Sequence, residues 1–183
     1  MRGKRAKKRD LVADERYGDP IVTQFINYVM LDGKKATARK LVYEAFEGLE
    51  AEEKVVSVES KSEDKKEGKK DGNKDSKAQT KKLKPLDIFL KALNNAKPSL
   101  EIRSRRIGGA NYQVPVPVSP ERQTTLAMRW IISAARETRK TTSTAESLRE
   151  EIMQAFNGEG YAVRKREDME KMAEANKAFA QFA

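Results

Sequence analysis

Apolar residues recur at intervals of three and four along most of the chain, and this spacing predicts amphipathic α-helices. The first begins at Asp19-Pro20, because Asp caps helix N-termini and Pro suits the first helical position, and it should close near Gly33. The same spacing predicts four further helices, which are expected from about Lys35 to Glu53, from Pro85 onward, from Ser119-Pro120 to about Thr138, and from about Ala145 to Asn157-Gly158.

A sixth helix is predicted near the end of the sequence, after the basic run Arg164, Lys165 and Arg166. Its apolar residues are better explained by packing, against the body of the protein or a neighbouring protein, than by a cofactor site. They form a stripe of Met169, Met172, Phe179 and Phe182.

The period of the pattern changes from about 3.6 to two between Pro98 and Ser119. Two alternating runs flank Gly108-Gly109, and this arrangement predicts a β-hairpin. Pro115 and Pro117 share one parity, so both missing N–H groups can face away from the partner strand. Because two strands alone are marginally stable, the hairpin must pack on the helices at its base or be ordered by a partner at its tip.

These elements predict a mainly α protein, a bundle of about six helices with one protruding β-hairpin. We expect residues 1–18 to form a basic, disordered N-terminal arm and residues 19–183 to form a single helical domain that carries the hairpin at 99–118. A lysine-rich stretch without aromatic residues, at 54–84, is predicted to be a disordered insertion in that domain.

Charge is distributed unevenly along this chain of 183 residues, which holds 38 Lys and Arg against 28 Asp and Glu. Residues 1–9 carry six basic residues and no acid, and residues 54–84 carry eleven Lys and six acids. The remaining 21 basic and 22 acidic residues leave the body nearly neutral. Within the body, positive charge is concentrated in residues 101–140, at Arg103, Arg105, Arg106, Arg122, Arg129, Arg136, Arg139 and Lys140.

Three arginines of the fourth predicted helix, Arg122, Arg129 and Arg136, lie seven residues apart. At 100° per residue this spacing returns each side chain to within about 20° of the last, so they form one stripe. None has an acidic residue four positions later, which favours RNA contact over a merely solvated face. Arginine suits this role because its planar fork matches phosphate oxygens.

The chain has no Cys and no His, which excludes disulfides, thiolate or imidazole metal sites and histidine-based proton transfer. No phosphate-binding glycine loop occurs. We therefore expect no enzyme activity, no metal, no cofactor and no small-molecule substrate. The apolar runs are too short to span a bilayer and no signal-peptide core follows the basic start, so we expect a soluble, intracellular protein with no membrane partner.

The strong positive charge leaves two classes of polyanionic partner open. A nucleoid or helix-turn-helix DNA-binding protein is the alternative to an RNA-binding protein, because Arg129 and Arg136 could line a helix in a major groove. Tyr112 also has two interpretations: it could stack on a base or pack on its own strand.

Four collinear blocks resemble the bacterial-type family of small-subunit ribosomal protein seven. The first, DPIVTQFINYVMLDGKKATARKLVYEA, spans residues 19–45 and holds Gly33-Lys34-Lys35 between two helices. The others are SRRIGGANYQVPVPV at 104–118, LAMRWIISAAR at 126–136 and KREDMEKMAEANKAFA at 165–180. The insertion at 54–84 departs from the family, which usually has a short loop there.

The resemblance implies a primary binder of small-subunit ribosomal RNA that helps assemble the head, or 3′ major domain. It implies neighbouring head and platform proteins as partners and a place in the cytoplasmic ribosome, with an organellar ribosome as the alternative. The ribosomal RNA-binding residues expected on this basis and from the charge pattern are Arg2, Lys4, Arg5, Lys7, Lys8, Arg9, Lys34, Lys35, Arg103, Arg105, Arg106, Arg122, Arg129, Arg136, Arg139 and Lys140.

The resemblance also implies that the hairpin tip reaches towards exit-site tRNA and messenger RNA. The residues expected near these two ligands are Arg106, Gly108, Gly109 and Tyr112, together with Lys165 and Arg166.

Overall fold

A computed structural model describes residues 3, 10–51, 84–138 and 142–182. The six basic residues predicted for the arm, almost all of the insertion at 54–84, and Arg139 and Lys140 lie outside the described residues. Within the described ranges the predicted mainly α fold, with six helices and one antiparallel hairpin, is confirmed.

The elements follow the predicted order. They are α1 (Pro20–Val29), α2 (Lys35–Ala51), α3 (Pro85–Ala96), β1 (Leu100–Ile107), β2 (Ala110–Pro117), α4 (Pro120–Thr138), α5 (Thr144–Phe156), α6 (Gly160–Ala175) and a 3₁₀ helix (Lys177–Phe182).

Local capping signals set the start of α1. The side chain of Asp19 accepts a hydrogen bond from the backbone N–H of Ile21 at 2.7 Å, and Pro20 occupies the first helical position. The helix ends before a tight turn in which Asp32 and Gly33 both have positive φ, 51° and 73°. This turn leads directly into α2, so Lys34 and Lys35 lie where α1 has ended and α2 begins.

The core is formed by side chains from all six α-helices, with Ala162 and Val163 contributed by α6. Phe25, Phe46 and Phe89, from α1, α2 and α3, are fully buried, and the ring centroids of the first and third are 4.8 Å apart. Helix α5 packs against α2, α3, α4 and α6, so it is the central element of the bundle. The apolar stripes predicted from the sequence point to this common core.

The hairpin has the predicted turn. Ile107 pairs with Ala110, and Gly108-Gly109 between them have φ of 56° and 91°, as a two-residue hairpin turn of type I′ requires. The N–H of Val118 donates to the carbonyl of Ser99 at 3.2 Å. In an antiparallel pair, every second residue counted back from Val118 hydrogen-bonds to β1, and Pro115 and Pro117 are the residues between. Their missing N–H groups therefore face away from the partner strand, as predicted. The hairpin packs against α6 and the 3₁₀ helix.

The prediction for the last helix was wrong at both ends. Arg164, Lys165 and Arg166 lie inside α6, because Glu151 of α5 caps the helix N-terminus at Gly160 through tertiary contact. The helix stops at Ala175, where the Asn176 side chain donates to the carbonyl of Met172 at 2.8 Å. The predicted continuous stripe is therefore broken: Met172 is exposed and Phe179 belongs to the 3₁₀ helix.

Part of the range predicted as an arm is packed on the body. Asp14, which is buried, accepts hydrogen bonds from the Tyr43 hydroxyl at 2.9 Å and from the N–H groups of Arg16 and Tyr17 at 3.1 and 3.2 Å. The ring of Tyr17 packs against Phe46. These contacts hold a turn before α1 against α2, a long-range contact that local sequence does not indicate.

Candidate nucleic-acid interface

The hairpin presents arginines on both of its faces. Arg103, Arg105 and Arg106 lie on β1 and are exposed. Because successive side chains of a strand point to opposite faces, Arg106 lies on one face and the other two on the other face. The register places Arg105 opposite Tyr112 and Arg106 opposite Asn111, near the tip. Both faces of the tip therefore carry positive charge.

Two arginines of the α4 stripe lie along α1. The guanidinium of Arg129 lies over the ring of Tyr28, 5.7 Å from its centroid. Arg136 donates from Nη2 to the carbonyl of Val29 at 3.4 Å, at the last residue of α1. Both arginines are exposed. A cation at this end of a helix also complements the partial negative charge of its free carbonyls.

The contact between Arg136 and Val29 brings a second basic element close to α4. Lys34 and Lys35 follow Val29 by five and six residues, through the turn at Asp32-Gly33, and both are exposed. The structure thus gathers lysines from the α1–α2 turn and arginines from α4 at one end of the molecule, although about a hundred residues separate them in sequence.

Arg122, the third arginine of the stripe, has a different environment. Its Nη2 donates to Oε1 of Glu101 at 2.9 Å, and its Nε donates to Oε2 at 3.3 Å. The Glu101 side chain is 15% exposed and that of Arg122 is 39% exposed. The hydrogen bonds and charge of Arg122 lower the pKa of Glu101 against the opposing effect of burial. Sequence reasoning missed this pairing, because Glu101 lies on another element of the fold.

The Glu101–Arg122 pair joins the two basic elements into one surface. At 1.5 Å per residue the α4 stripe is about 21 Å long from Arg122 to Arg136, and β1 is about 20 Å long from Glu101 to its tip. Glu101 also lies 3.6 Å from Nη2 of Arg103. We call this surface, together with Arg106 on the opposite face of the hairpin, the basic band. Its arginines are Arg136, Arg129, Arg122, Arg103, Arg105 and Arg106.

Two residues expected near tRNA and messenger RNA lie on α6, and the structure gives them different environments. Arg166 donates to the carbonyl of Asn95 at 2.5 Å and its side chain is only 27% exposed. Its Nε also lies 3.9 Å from Glu170, which accepts a hydrogen bond from the Ser99 hydroxyl at 3.0 Å. Arg166 is thus part of the support at the hairpin base. Lys165 is exposed.

Tyr112 packs against another aromatic side chain of the protein. Its ring lies 5.2 Å from that of Phe179, centroid to centroid, with the planes inclined at 51°. The side chain is half-buried. Of the two interpretations drawn from the sequence, packing is the one that this geometry favours, with the 3₁₀ helix as the partner.

Neither a metal site nor a membrane-spanning helix is found among the described residues. No group of three Asp and Glu side chains there is close enough to hold an ion. The helices of the described ranges are too short or too polar to cross a bilayer.

Comparisons with known proteins agree with one another. Residues 1–177 match the family model described as ribosomal protein S7p/S5e. The chain is 45% identical over 181 residues to a protein of Francisella philomiragia, covering 99% of this chain and 98% of that protein. It is 44% identical to a protein of Caulobacter vibrioides with the same coverage, and 46% identical to one of Rhodococcus opacus, covering 97% of this chain and 95% of that protein. All three relatives are named small ribosomal subunit protein uS7.

Proposed function

Because the chain belongs to the ribosomal protein S7p/S5e family, we propose that it binds ribosomal RNA through the basic band and the Lys34-Lys35 turn. The family resemblance drawn from the sequence is confirmed. The protein is a component of the small ribosomal subunit in the cytoplasm, and not an enzyme. Family membership also decides against the alternative of a nucleoid or helix-turn-helix DNA-binding protein.

The observation that carries the proposal is the basic band itself. Exposed guanidinium groups continue from α4 onto the hairpin, over about 40 Å if the two elements are added end to end. Arginines and lysines spaced in this way bind phosphate oxygens and position a protein on folded RNA, while the shape of the RNA provides the specificity. Two aromatic rings lie beside these arginines, and both are engaged within the fold: Tyr112 by Phe179 and Tyr28 by Arg129. The proposal is therefore recognition of RNA shape.

Ribosomal RNA and other ribosomal proteins are the partners of such a component. More specifically, we place the band on the 3′ major domain, in the head of the subunit beside other head and platform proteins. Residues 1–2, 4–9 and 139–141 lie outside the described residues, and their basic side chains would extend the same contact. They are Arg2, Lys4, Arg5, Lys7, Lys8, Arg9, Arg139 and Lys140.

The hairpin tip is the part of the band best suited to exit-site tRNA and messenger RNA. Arg106 is exposed near the end of β1, and Gly108 and Gly109 are exposed in the turn that follows it. Lys165 is exposed on α6 and can add charge on that side. Tyr112 and Arg166 act by supporting the hairpin, since each is engaged by other parts of the fold.

The proposal is tested by replacing Arg103, Arg105 and Arg106 together with Ala and titrating a head-domain RNA fragment at several salt concentrations. Losing three phosphate contacts should weaken binding and reduce the slope of log affinity against log salt by about 2 to 3. A matched variant removes three exposed lysines elsewhere, Lys40, Lys91 and Lys171, and should change the slope by less than about one. Equal effects of the two variants would contradict a localised interface.

A further inference from the structure

In the basic band, Arg122 makes two hydrogen bonds to one carboxylate, that of Glu101. We infer that the Glu101–Arg122 pair sets the angle of the hairpin on α4, so that Arg122 is a positioning residue and not a phosphate ligand. This inference rests on the proposed function, since it concerns how the two halves of the band are aligned for RNA.

The geometry of the pair is suited to fixing an orientation. The two hydrogen bonds, 2.9 and 3.3 Å, join both oxygens of Glu101 to two nitrogens of Arg122. A two-point contact between planar groups restrains their relative rotation, which a single contact does not. Arg129 and Arg136 make single contacts, to a ring and a carbonyl, and keep their guanidinium groups exposed.

The Glu101–Arg122 pair lies where a small change in the hairpin angle moves the tip by several ångströms. Glu101 is the second residue of β1 and Arg122 the third of α4, so the contact lies at the base of the hairpin. The tip lies about 20 Å beyond it at the usual rise per residue of a strand. A rotation of 10° at the base would therefore move the tip by about 3.5 Å. Such a displacement is enough to break a hydrogen bond to a phosphate oxygen.

A second contact holds the opposite side of the base. The hydroxyl of Ser99 donates to Oε1 of Glu170 at 3.0 Å, and its backbone N–H lies 3.4 Å from the same oxygen. This contact ties the hairpin to α6, and the Glu101–Arg122 pair ties it to α4. Without the pair, the hairpin keeps its strand pairing and its contacts with α6 and the 3₁₀ helix, but it loses the ion pair that fixes its angle to α4.

The charge of Glu101 supports the same conclusion. An acid at the centre of a surface that binds phosphate repels the ligand, and it lowers affinity unless it has another role. Glu101 cancels the charge of Arg122 and lies within 3.6 Å of Arg103. The gain that offsets this loss of positive charge is the fixed angle between the two arginine-bearing elements.

A charge swap separates positioning from phosphate binding. In the double variant Glu101→Arg with Arg122→Glu, the ion pair is retained and the net charge is unchanged. We expect Arg122→Glu alone to weaken binding of the head-domain RNA fragment about tenfold or more and to remove the hairpin-dependent part of the hydroxyl-radical footprint. The double variant should recover to within about threefold. If it stays as weak as Arg122→Glu, Arg122 is a phosphate ligand and the inference is wrong.

Arg122→Lys gives a second test that does not depend on how the swap folds. Lysine keeps the positive charge but cannot make the two-point contact. Loss of the hairpin-dependent protections, with the α4 protections retained, supports positioning. Full retention of both would overturn it, because a phosphate ligand tolerates lysine.

Two control variants distinguish failure of the proposed function from failure of the positioning role of Arg122. Swapping the exposed pair Arg16–Glu47, which joins the turn before α1 to α2, should leave binding unchanged. The triple hairpin variant Arg103→Ala, Arg105→Ala and Arg106→Ala defines which protections depend on the hairpin. If the triple variant binds like the unmodified protein, the proposed function fails. If it binds weakly and the swap does not recover, only the positioning role of Arg122 fails.

Discussion

Glu151 of α5 accepts a hydrogen bond from the backbone N–H of Ala162, 2.9 Å away, and so caps the N-terminus of α6 from a neighbouring helix. Glu151 as a whole is only 7% exposed. A negative charge is favourable at a helix N-terminus, where N–H groups have no partner within the helix. Because α6 carries Glu170, which holds the hairpin base at Ser99, this cap helps to position the proposed RNA-binding surface.

The Glu151 cap should make the protein less stable as pH rises. Burial raises the pKa of Glu151, and the N–H bonds from Ala162 and Tyr161 oppose this only in part. The folded protein therefore keeps the proton where the unfolded chain has lost it. The free energy of unfolding should fall as pH rises from about 4.3 through the folded pKa.

The substitution Glu151→Gln removes this titration and keeps an acceptor for the Ala162 N–H. We expect urea unfolding between about pH 4 and 8 to show the fall in the unmodified protein and not in the variant. Glu150→Gln, on the same helix, is the control and should keep the fall. Identical pH profiles for the unmodified protein and Glu151→Gln would show that the prediction is wrong.

Glu101 should affect stability in the opposite direction to Glu151, so that the protein becomes less stable as pH falls. Its hydrogen bond to Arg122 lowers its pKa, so the charged form is favoured in the folded state. The resulting stabilisation is complete above the unfolded pKa of about 4.3 and is lost as pH falls through the lower folded pKa. Glu101→Gln should therefore lose less stability on acidification than the unmodified protein. Urea midpoints measured from about pH 5 down to 2 check this, and a steeper loss in the variant would contradict it.

The hairpin turn should tolerate only residues that adopt positive φ. Gly108 has φ of 56°, and among the described residues no atom beyond its neighbours lies within 4 Å of where a Cβ would be. A substitution there acts through the backbone alone. Gly108→Asn should leave the hairpin intact, whereas Gly108→Val should destabilise it by roughly 1–2 kcal/mol.

Backbone NMR shifts at Ile107 and Ala110, the pair that closes the turn, report whether the hairpin is intact in each variant. RNA titration should show the same order, with Gly108→Val the weaker binder. If Val and Asn behave alike in both measurements, the turn does not control the position of the tip.

If the contact between the rings of Tyr112 and Phe179 is what supports the hairpin, replacing either residue should have the same effect on RNA binding. Such aromatic pairs contribute about 0.5–1.5 kcal/mol beyond area burial, so losing either ring should weaken hairpin-dependent RNA binding by a similar factor, roughly 2- to 10-fold. Tyr112→Phe keeps the ring contact and should bind more tightly than Tyr112→Ala. Titration of the three variants checks this. A much larger loss for Tyr112→Ala than for Phe179→Ala would indicate direct base stacking.

The sequence determined the elements whose signals are local. Asp19-Pro20 starts α1 because capping and a fixed φ act within three residues, and the glycine pair with the proline parity defines the hairpin. The absence of Cys and His excluded whole classes of chemistry without any structure. The arginine stripe of α4 followed from helical periodicity alone.

Only the tertiary structure decided which of the basic residues are already engaged. Arg122 meets Glu101 from another element, Arg166 meets the carbonyl of Asn95, and the α6 start depends on Glu151. Periodicity and capping signals describe a segment and its immediate neighbours, whereas an ion pair or tertiary cap depends on how separate segments pack. The sequence therefore indicated where positive charge lies, and the packing decided which part of it stays exposed to RNA.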